Sequence, residues 1–356
     1  MRNDRMTWIG RSVADLRSLW LAANCYGVSK PTALAGFLSL ALRGLYSPTE
    51  ILRLGLLDPA SLIRPERYMS SEALLAIQHR LNPYSHQHLT EDKISFYRKC
   101  LSADLPTPRI LAIFGEGTYR YPDLKAIRSP GEFVSAASGH AGVVFKPVDG
   151  THGHGVLVLS VEEDRFREHN GRSLDAAELI AHSQRCGAGT WLLQERLNPH
   201  AELARLSGHP LIQTVRLVTY IAPAGGVSLL WAWLRIVGGR TSVDNFAFGG
   251  NGNLVGSIDV SRGTLDHTLA IAPHGFGLVR KAQHPSTGVA FDGFAVPGFR
   301  AACEIVKRAA AAFLPLRTIG WDVAITDHGV SLIEGNVTWD PLPTYLDMAE
   351  IVRGLD

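Results

Sequence analysis

The segment Gly320–Asn336 constrains the fold of this chain more than any other, because it has the pattern of a β-hairpin that places two carboxylates opposite each other. An Asp-His-Gly turn signal separates its two apolar runs. A turn centred on His328 pairs Asp322 with Glu334 across the ladder, and it puts Asn336 on the same sheet face. A slip of one residue would separate these side chains, so the prediction depends on the turn.

The paired carboxylates predict a bound cation. Two carboxylates that face each other repel unless a positive charge lies between them. Mg²⁺ fits because it prefers hard oxygen ligands and is often held by one or two carboxylates together with substrate phosphates. The alternative is a solvated polar edge. Trp321, Val323 and Ile333 argue against that alternative, because they indicate that the other face of the hairpin is buried.

Residues 1–89 are predicted to form a helical segment. Ser47–Glu50 is a capping box with proline in the first turn, and a further helix is predicted over Ser71–Leu81. The apolar segment Ala33–Leu42 is about half as long as a membrane span. We expect a buried helix there, with a helix lying on a membrane surface as the alternative.

From Thr90 onward, short β-type runs separated by glycine and proline predict hairpins rather than βαβ units, and therefore an α+β fold. Thr90 is predicted to cap a helix that carries Lys93 in its first turn. Near the end, apolar residues at helical spacing between Pro297 and Pro315 predict one further helix. The predicted strands before that helix are Ile110–Phe114, Val143–Lys146, Val156–Leu159, Trp191–Gln194, Thr214–Ile221 and Val227–Val237.

A glycine-rich turn, Gly150–Gly155, lies between two of these strands. It lacks the Gly-Lys-Ser/Thr ending of a Walker A loop and the helix that follows a dinucleotide fingerprint. Its backbone N–H groups can still cradle phosphate, and Lys146 places a cation near the same mouth. We expect a mobile lid over phosphates, with a plain flexible turn as the alternative.

Two arginines are expected to hold an anionic substrate. If Ala224-Gly225 centres the turn of their hairpin, Arg216 and Arg235 lie diagonally on one face, toward the paired carboxylates. A structural salt bridge is the alternative for each arginine. A loop over Pro273–Gly288 is expected to contribute to specificity.

Taken in order along the chain, these pieces resemble the ATP-grasp superfamily, and in particular its sugar-transfer-associated group, which is related to α-L-glutamate ligases. The resemblance runs from about residue 90 to the C-terminus. The motifs that carry it are Asp92-Lys93, Val144-Phe145-Lys146-Pro147, Gln194-Glu195, Thr214-Val215-Arg216, Val243-Asp244-Asn245 with Gly249-Gly250, His284-Pro285 with Thr287-Gly288, Gly320-Trp321-Asp322 and Glu334-Gly335-Asn336.

The resemblance implies two α+β lobes that clamp ATP, with Mg²⁺ as the metal cofactor. Residues 1–89 would precede a lid-bearing lobe over residues 90–195 and a metal and substrate lobe over residues 196–356. The metal ligands would be Asp322, Glu334 and Asn336. The ATP contacts would be Lys93, Lys146, Gly150, Gly153, Gly155, Gln194, Glu195, Leu197 and Glu202. We further expect Arg216, Arg235 and Asn245 to act in catalysis and Asp244, Lys281 and His284 to lie near the substrate.

The activity implied by this resemblance is ligation. A substrate carboxylate attacks the γ-phosphate of ATP, and an amine or thiol opens the resulting acyl phosphate. The acid would be a small molecule or saccharide-linked, in polysaccharide or secondary-metabolite biosynthesis. Two alternatives stay open. One is a kinase that phosphorylates a sugar or polyol hydroxyl, and the other is a nucleotide-binding module without turnover.

Composition excludes several other classes. The net charge is +2, and no concentrated block of lysine or arginine is present, which argues against nucleic-acid binding. Four cysteines lie far apart in the sequence, which indicates a reduced compartment rather than a disulfide framework or a zinc site. We therefore expect a cytoplasmic protein without a transmembrane segment, of undetermined oligomeric state.

Overall fold

The computed structural model describes residues 16–149, 155–187, 189–239, 244–341 and 348–355. The helices are α1 (16–26), α2 (Lys30–Arg43), α3 (Pro48–Arg53), α4 (Ser71–Leu81), α5 (His88–Glu91), α6 (Lys93–Ser102), α7 (Pro130–Ala137), α8 (Ala176–Arg185), α9 (Ala201–Ser207), α10 (Phe299–Ala312) and α11 (Met348–Arg353). The strands are β1 (Ile110–Gly115), β2 (Ala126–Ile127), β3 (Gly142–Pro147), β4 (Leu157–Glu162), β5 (Arg165–Glu168), β6 (Ser173–Leu174), β7 (Thr190–Glu195), β8 (Thr214–Ile221), β9 (Val227–Ile236), β10 (Leu254–Asp259), β11 (Thr264–Ile271), β12 (Leu278–Lys281), β13 (Thr318–Thr326) and β14 (Gly329–Asn336). This mixture of helices and hairpins confirms the predicted α+β class.

The first sheet has the strand order β2-β1-β7-β3-β4-β5-β6. Its neighbouring strands are antiparallel except for β1 and β2, which run parallel. Three buried rings, Phe133, Phe145 and Phe166, pack edge to face in its core, with ring centroids 5.2 Å apart in both pairs. Edge-to-face packing stabilises aromatic pairs beyond the area that they bury.

The second sheet is antiparallel throughout, with the strand order β12-β11-β10-β9-β8-β13-β14. One face packs against α10, whose apolar side, from Phe299 to Phe313, is buried as its helical spacing predicts. The opposite face carries Tyr220, Trp231 and Trp233, which pack against the N-terminal helices. That helical segment therefore covers part of the same sheet face that bears Arg216 and Asp322 at its other end.

The helix that contains Lys93 begins at a different residue from the one predicted. The sequence predicts a helix capped by Thr90, whereas α6 begins at Lys93 and is capped by Asp92. One Asp92 oxygen accepts the N–H of Ser95 at 2.6 Å, and the other accepts the hydroxyl of Tyr121 at 2.7 Å. The Thr90 hydroxyl instead donates backward to the carbonyl of Gln87, at 3.1 Å. Asp92 is the stronger cap here because its carboxylate satisfies a free helix N–H.

The predicted burial of Ala33–Leu42 is only half right. In α2 the buried residue is Ala33, and Phe37 and Leu40 are partly buried against the helices beside them. Leu38 and Leu42 point outward, with 47% and 75% of their surface exposed. No helix in the described part of the chain is long and apolar enough to cross a membrane.

The capping box predicted at Ser47–Glu50 is present, and it is part of a larger clamp. The buried Glu50 carboxylate accepts the N–H and hydroxyl of Ser47, both at 2.8 Å, through one oxygen. Its other oxygen accepts the N–H of Ser71 at 2.7 Å and the Ser71 hydroxyl at 2.8 Å. One carboxylate thus joins the first turns of α3 and α4.

Replacing Glu50 with alanine is expected to lower the free energy of unfolding by about 2–4 kcal/mol, because donors at two helix starts lose a buried, charged acceptor. Chemical unfolding measures the change. Glu72→Ala removes an exposed carboxylate from the first turn of α4 and serves as the control, with an expected loss of about 0.5 kcal/mol or less. Equal stability of the two variants would contradict the clamp.

Candidate functional site

A cavity of about 660 Å³ is lined by residues of both sheets and of the helical segment. Its size is within the range of small-molecule sites in proteins. Most of the predicted site residues meet in this cavity. They are Lys93, Lys146, Gln194, Glu195, Leu197, Arg216, Arg235, Asp244, Asn245, Asp322, Glu334 and Asn336.

The β13–β14 hairpin forms the acidic end of the cavity. Asp322 pairs with Glu334, as predicted, but the turn is not centred on His328. Thr326 pairs with Gly329 around a two-residue turn, and the register then shifts between Asp322 and Val323. The extra residue at this bulge is Ile333, which lines the cavity. β-Bulges occur next to active sites because they redirect side chains, and this bulge brings the two carboxylates opposite each other.

Asp322 is held by two arginines. Both of its oxygens accept from Arg216, through Nε and through Nη2, the latter at 2.8 Å, and Arg235 Nη1 donates at 2.9 Å. Asp322 and Arg216 are buried, so the three groups form a desolvated ion-pair cluster. Burial alone raises the pKa of Asp322, but the charges of Arg216 and Arg235 outweigh it and lower that pKa to about 2.

Glu334 differs from Asp322 in its surroundings. Burial and the charge of Asp322 both raise the pKa of its carboxyl group. Asn336 donates from Nδ2 to Gly320 O at 3.3 Å and to Glu334 Oε1 at 3.4 Å, so its amide oxygen keeps ligand capacity. Two carboxylates and an amide oxygen are hard donors that suit Mg²⁺. Within the described ranges no group of three or more His, Cys, Asp or Glu gathers as a metal site.

Two lysines line the cavity on the side of the first sheet. Lys146, at the end of β3, is buried, and burial lowers its pKa to about 8, against the opposing charge of Glu334. Lys93, in the first turn of α6, donates from Nζ to Val148 O at 3.1 Å, and burial lowers its pKa as well. A buried cation beside an open cavity is stabilised by an anion that binds there.

The segment predicted to be an adenine hinge forms the end of β7. Gln194 is buried and donates from Nε2 to Pro108 O at 2.9 Å. The carboxylate of Glu195 accepts the N–H of Arg109 at 2.8 Å. Both side chains therefore fasten β7 to the residues that precede β1.

A second polar group connects β8 with the residues after β9. Asp244 Oδ2 accepts both the N–H and the hydroxyl of Thr214, each at 2.6 Å, and Asp244 Oδ1 lies 4.0 Å from Arg235 Nη1. Asn245 follows, and its backbone carbonyl accepts Asn251 Nδ2 at 2.6 Å. These contacts fix Asp244 and Asn245 at the cavity wall.

Four predicted site residues lie outside the cavity lining. Glu202 is exposed on α9 and forms an ion pair with Arg205 at 2.7 Å. His284 is buried and donates from Nε2 to Val237 O at 2.9 Å, a structural contact. Lys281 belongs to β12, at the edge of the second sheet, within the segment predicted to be a loop. The carbonyl of Gly155 is hydrogen-bonded to His182 at 3.0 Å, whereas Gly150, Gly153 and the rest of the predicted lid lie outside the described residues.

The cavity also contains residues that the sequence reasoning missed. His88, Asp149 and Asp340 all line it. His88 belongs to none of the motifs that predict the site, and it is exposed at the cavity. The sequence contains one signal that could have pointed to Asp340. This residue lies between Trp339 and Pro341, only four residues after the predicted metal ligand Asn336.

Comparison with known proteins matches residues 75–351 to a family model described as sugar-transfer associated ATP-grasp. No curated protein sequence matches the chain significantly. Among solved structures, it is similar to D-alanyl-alanine synthetase A from Vibrio cholerae O1 biovar eltor, with 11% identity, a TM-score of 0.43 and coverage of 74% of this chain and 60% of that chain.

Two further solved structures resemble it to a similar degree. One is D-alanine-D-alanine ligase from Helicobacter pylori, with 11% identity, a TM-score of 0.42 and coverage of 75% of this chain and 62% of that chain. The other is the biotin carboxylase domain of Hydrogenobacter thermophilus 2-oxoglutarate carboxylase, solved with MgADP, ADP and bicarbonate, with 12% identity, a TM-score of 0.39 and coverage of 75% and 45%. This chain therefore spans less than two thirds of each of the three.

Proposed function

The chain belongs to the sugar-transfer associated ATP-grasp family, and from that premise we propose that it is an ADP-forming ligase that activates a carboxylate with Mg-ATP. One observation carries the proposal. The described cavity brings two buried or half-buried lysines, from α6 and β3, to the same space as a pair of opposed carboxylates. Cations for phosphate oxygens and hard ligands for Mg²⁺ are the two requirements of a phosphoryl-transfer site.

The proposed ATP position follows from these groups. Lys93 and Lys146 would contact phosphate oxygens, and the adenine would lie against the backbone around Leu197. Asp322, Glu334 and Asn336 would hold Mg²⁺, which when bound neutralises charge on the β- and γ-phosphates. The Asp322 cluster supports this assignment only in part, because Arg216 and Arg235 already occupy three acceptor positions of that carboxylate. Glu334, unlike Asp322, makes no ion pair within 4.0 Å among the described residues, so it is the ligand that the proposal depends on most.

The two arginines have different proposed roles. Arg216 uses both Nε and Nη2 on Asp322, and its guanidinium carbon lies 5.9 Å from the ring centroid of Trp233. Its role is to position Asp322. Arg235 is more exposed, and it contacts Asp322 through Nη1 alone. The remaining N–H groups of Arg235 can meet a substrate carboxylate, so we assign the anion contact to Arg235.

The proposed reaction has two steps. A carboxylate oxygen of the substrate attacks the γ-phosphorus of ATP, and the bond to the β-γ bridging oxygen breaks, which gives ADP and an acyl phosphate. An amine or thiol then attacks the acyl carbon, loses its proton and displaces inorganic phosphate. The protein contributes positioning and charge stabilisation. Asp244 and Asn245 would lie beside the acid, and a saccharide-linked acid fits the description of the family.

The test is a turnover screen with purified protein, Mg-ATP and pools of carboxylic acids and amines. The proposal expects ADP and free phosphate in a fixed ratio, dependent on both an acid and a nucleophile. If ADP formed only in the presence of a sugar or polyol, and no free phosphate was released, the protein would instead be a kinase. ATP binding without ADP formation in any pool would identify a binding module.

The pKa of Lys146 gives a pH prediction. Free protein loses the positive charge of Lys146 as the pH rises through about 8, whereas bound phosphate favours the ammonium form. ATP affinity is therefore expected to fall above about pH 8, and complex formation there should take up a proton. Calorimetry in buffers of different ionisation enthalpy measures both effects.

A matched variant isolates this lysine. Lys146→Met is expected to weaken ATP binding by at least about 1.5 kcal/mol and to flatten the pH dependence, because a hydrogen bond to a charged group is lost. Lys307→Met, on the outer side of α10, is the control. Unchanged affinity in the Lys146 variant would remove Lys146 from the phosphate site.

A further inference from the structure

The α1–α2 helices carry an unusual amount of exposed apolar surface. Six of the eleven exposed large hydrophobic side chains of the described part of the chain lie between residues 16 and 45. Three of them, Leu34, Leu38 and Leu42, follow each other at intervals of four residues along α2. Residues four apart on a helix lie on one face, so these leucines form one stripe, which we call the leucine stripe.

The opposite face of α2 is already packed. Ala33, Phe37 and Leu40 contact the hydrophobic clusters formed with α1 and the following helices. The helix is therefore apolar on its inner and on its outer side. A helix that is apolar all round normally has an apolar environment on both sides, and within the described residues nothing covers the leucine stripe.

The charges around the stripe have one sign. Between Leu16 and Thr49 the sequence contains Arg17, Lys30 and Arg43 and no acidic residue. All three cations are exposed, and Lys30 and Arg43 are the first and last residues of α2. The chain as a whole is nearly balanced, with 35 basic and 33 acidic residues. The absence of acids from this segment is thus a local feature.

We propose that the leucine stripe docks on the surface of an anionic lipid bilayer, with α2 lying in the plane of the interface. Leucines inserted at the acyl boundary and cations at the head groups are the two parts of an interfacial helix. A protein partner fits less well, because interface centres are enriched in Trp, Tyr and Arg, whereas Leu is under-represented among their hot spots. The inference is independent of the proposed chemistry, because it uses no residue of the cavity.

The test is flotation of the full chain with vesicles of phosphatidylcholine, with or without phosphatidylglycerol. The wild-type protein is expected to float with the anionic vesicles and to be released by high salt. The double variant Leu38→Glu, Leu42→Glu is expected to reduce the bound fraction by about tenfold or more, because it replaces apolar contacts with anionic charge. Lys30→Gln with Arg43→Gln should lower the preference for anionic over neutral vesicles.

Leu101→Glu, at an exposed leucine of α6, is the control and should float like the wild type. An unchanged circular dichroism spectrum and an unchanged unfolding midpoint establish that the glutamate variants are folded. Failure of the wild-type protein to bind anionic vesicles would overturn the proposal, and so would equal binding by the double variant. A third outcome would also overturn the proposal. If the wild-type protein dimerised with increasing concentration but did not bind vesicles, and the double variant stayed monomeric, the leucine stripe would bind a second copy of this chain.

Discussion

Replacing Glu334 with glutamine is expected to reduce ATP turnover by about a hundred- to a thousandfold, the range for losing one group that stabilises transition-state charge. The variant keeps the size of the side chain and removes the negative charge with which Glu334 is proposed to bind Mg²⁺. Glu334 belongs to no ion pair closer than 4.0 Å within the described residues, so the protein should keep its fold. ADP formation as a function of Mg²⁺ concentration measures the effect.

The control for this variant is Glu304→Gln, an exposed residue of α10 that pairs with Lys307. It should show wild-type turnover and wild-type Mg²⁺ dependence. If Glu334→Gln behaved in the same way, Glu334 would not be a metal ligand, and the acidic end of the cavity would need another role.

Replacing Asp322 with asparagine is expected to lower the free energy of unfolding by about 3 kcal/mol or more, the cost of removing one partner from a buried ion pair. Two guanidinium groups would stay in the interior without the charge that balances them, since Asp322 contacts both Arg216 and Arg235. Urea unfolding measures the change. Asp292→Asn, at an exposed position, is the control, expected to stay within about 0.5 kcal/mol of the wild type.

The ion-pair cluster also predicts acid lability. The pKa of Asp322 is lowered from 3.8 to about 2 in the folded protein, so its contribution to stability is complete above about pH 4. That contribution is lost as the pH falls through the window from 3.8 toward about 2. The wild-type protein should lose stability in that window more steeply than Asp322→Asn. Parallel pH profiles for the two proteins would contradict the cluster.

Both site hairpins illustrate how far register can be predicted from sequence. The pairing of Asp322 with Glu334 is confirmed, yet the turn that motivates it is displaced and a bulge at Ile333 restores the register. The β8–β9 hairpin also contains a bulge between its turn and its site residue. Its register shifts between Val218 and Thr219, before the ladder reaches Arg216. Turn signals locate a hairpin, but a bulge is decided by packing on both faces of the sheet, which a local pattern does not contain.

Among the elements that the sequence reasoning missed are three neighbouring strands of the second sheet. These strands are β10, β11 and β12, and the adjacent polar residues Asp266 and His267 interrupt the apolar pattern of β11. Their place in the sheet comes from pairing with β9 and with each other. By contrast, α4 and α10 are predicted well, because caps, prolines and helical spacing are local signals.

The candidate site shows the same division. Motif residues such as Lys146 and Glu334 can be found because each lies in a recognisable segment of a family pattern. The sequence offers a salt bridge only as the alternative for Arg216 and Arg235. It does not identify Asp322 as their shared partner, because Asp322 is 106 residues away from Arg216 along the chain. His88 likewise reaches the cavity only through elements that are distant in the chain.

A crystal structure of the protein with Mg²⁺ and a non-hydrolysable ATP analogue tests the central claim most directly. We expect adenine against the backbone near Leu197, phosphate oxygens within hydrogen-bonding distance of Lys93 and Lys146, and Mg²⁺ bound to Glu334. Nucleotide density elsewhere on the molecule, or a metal ion in the cavity with no contact to Glu334, would contradict it.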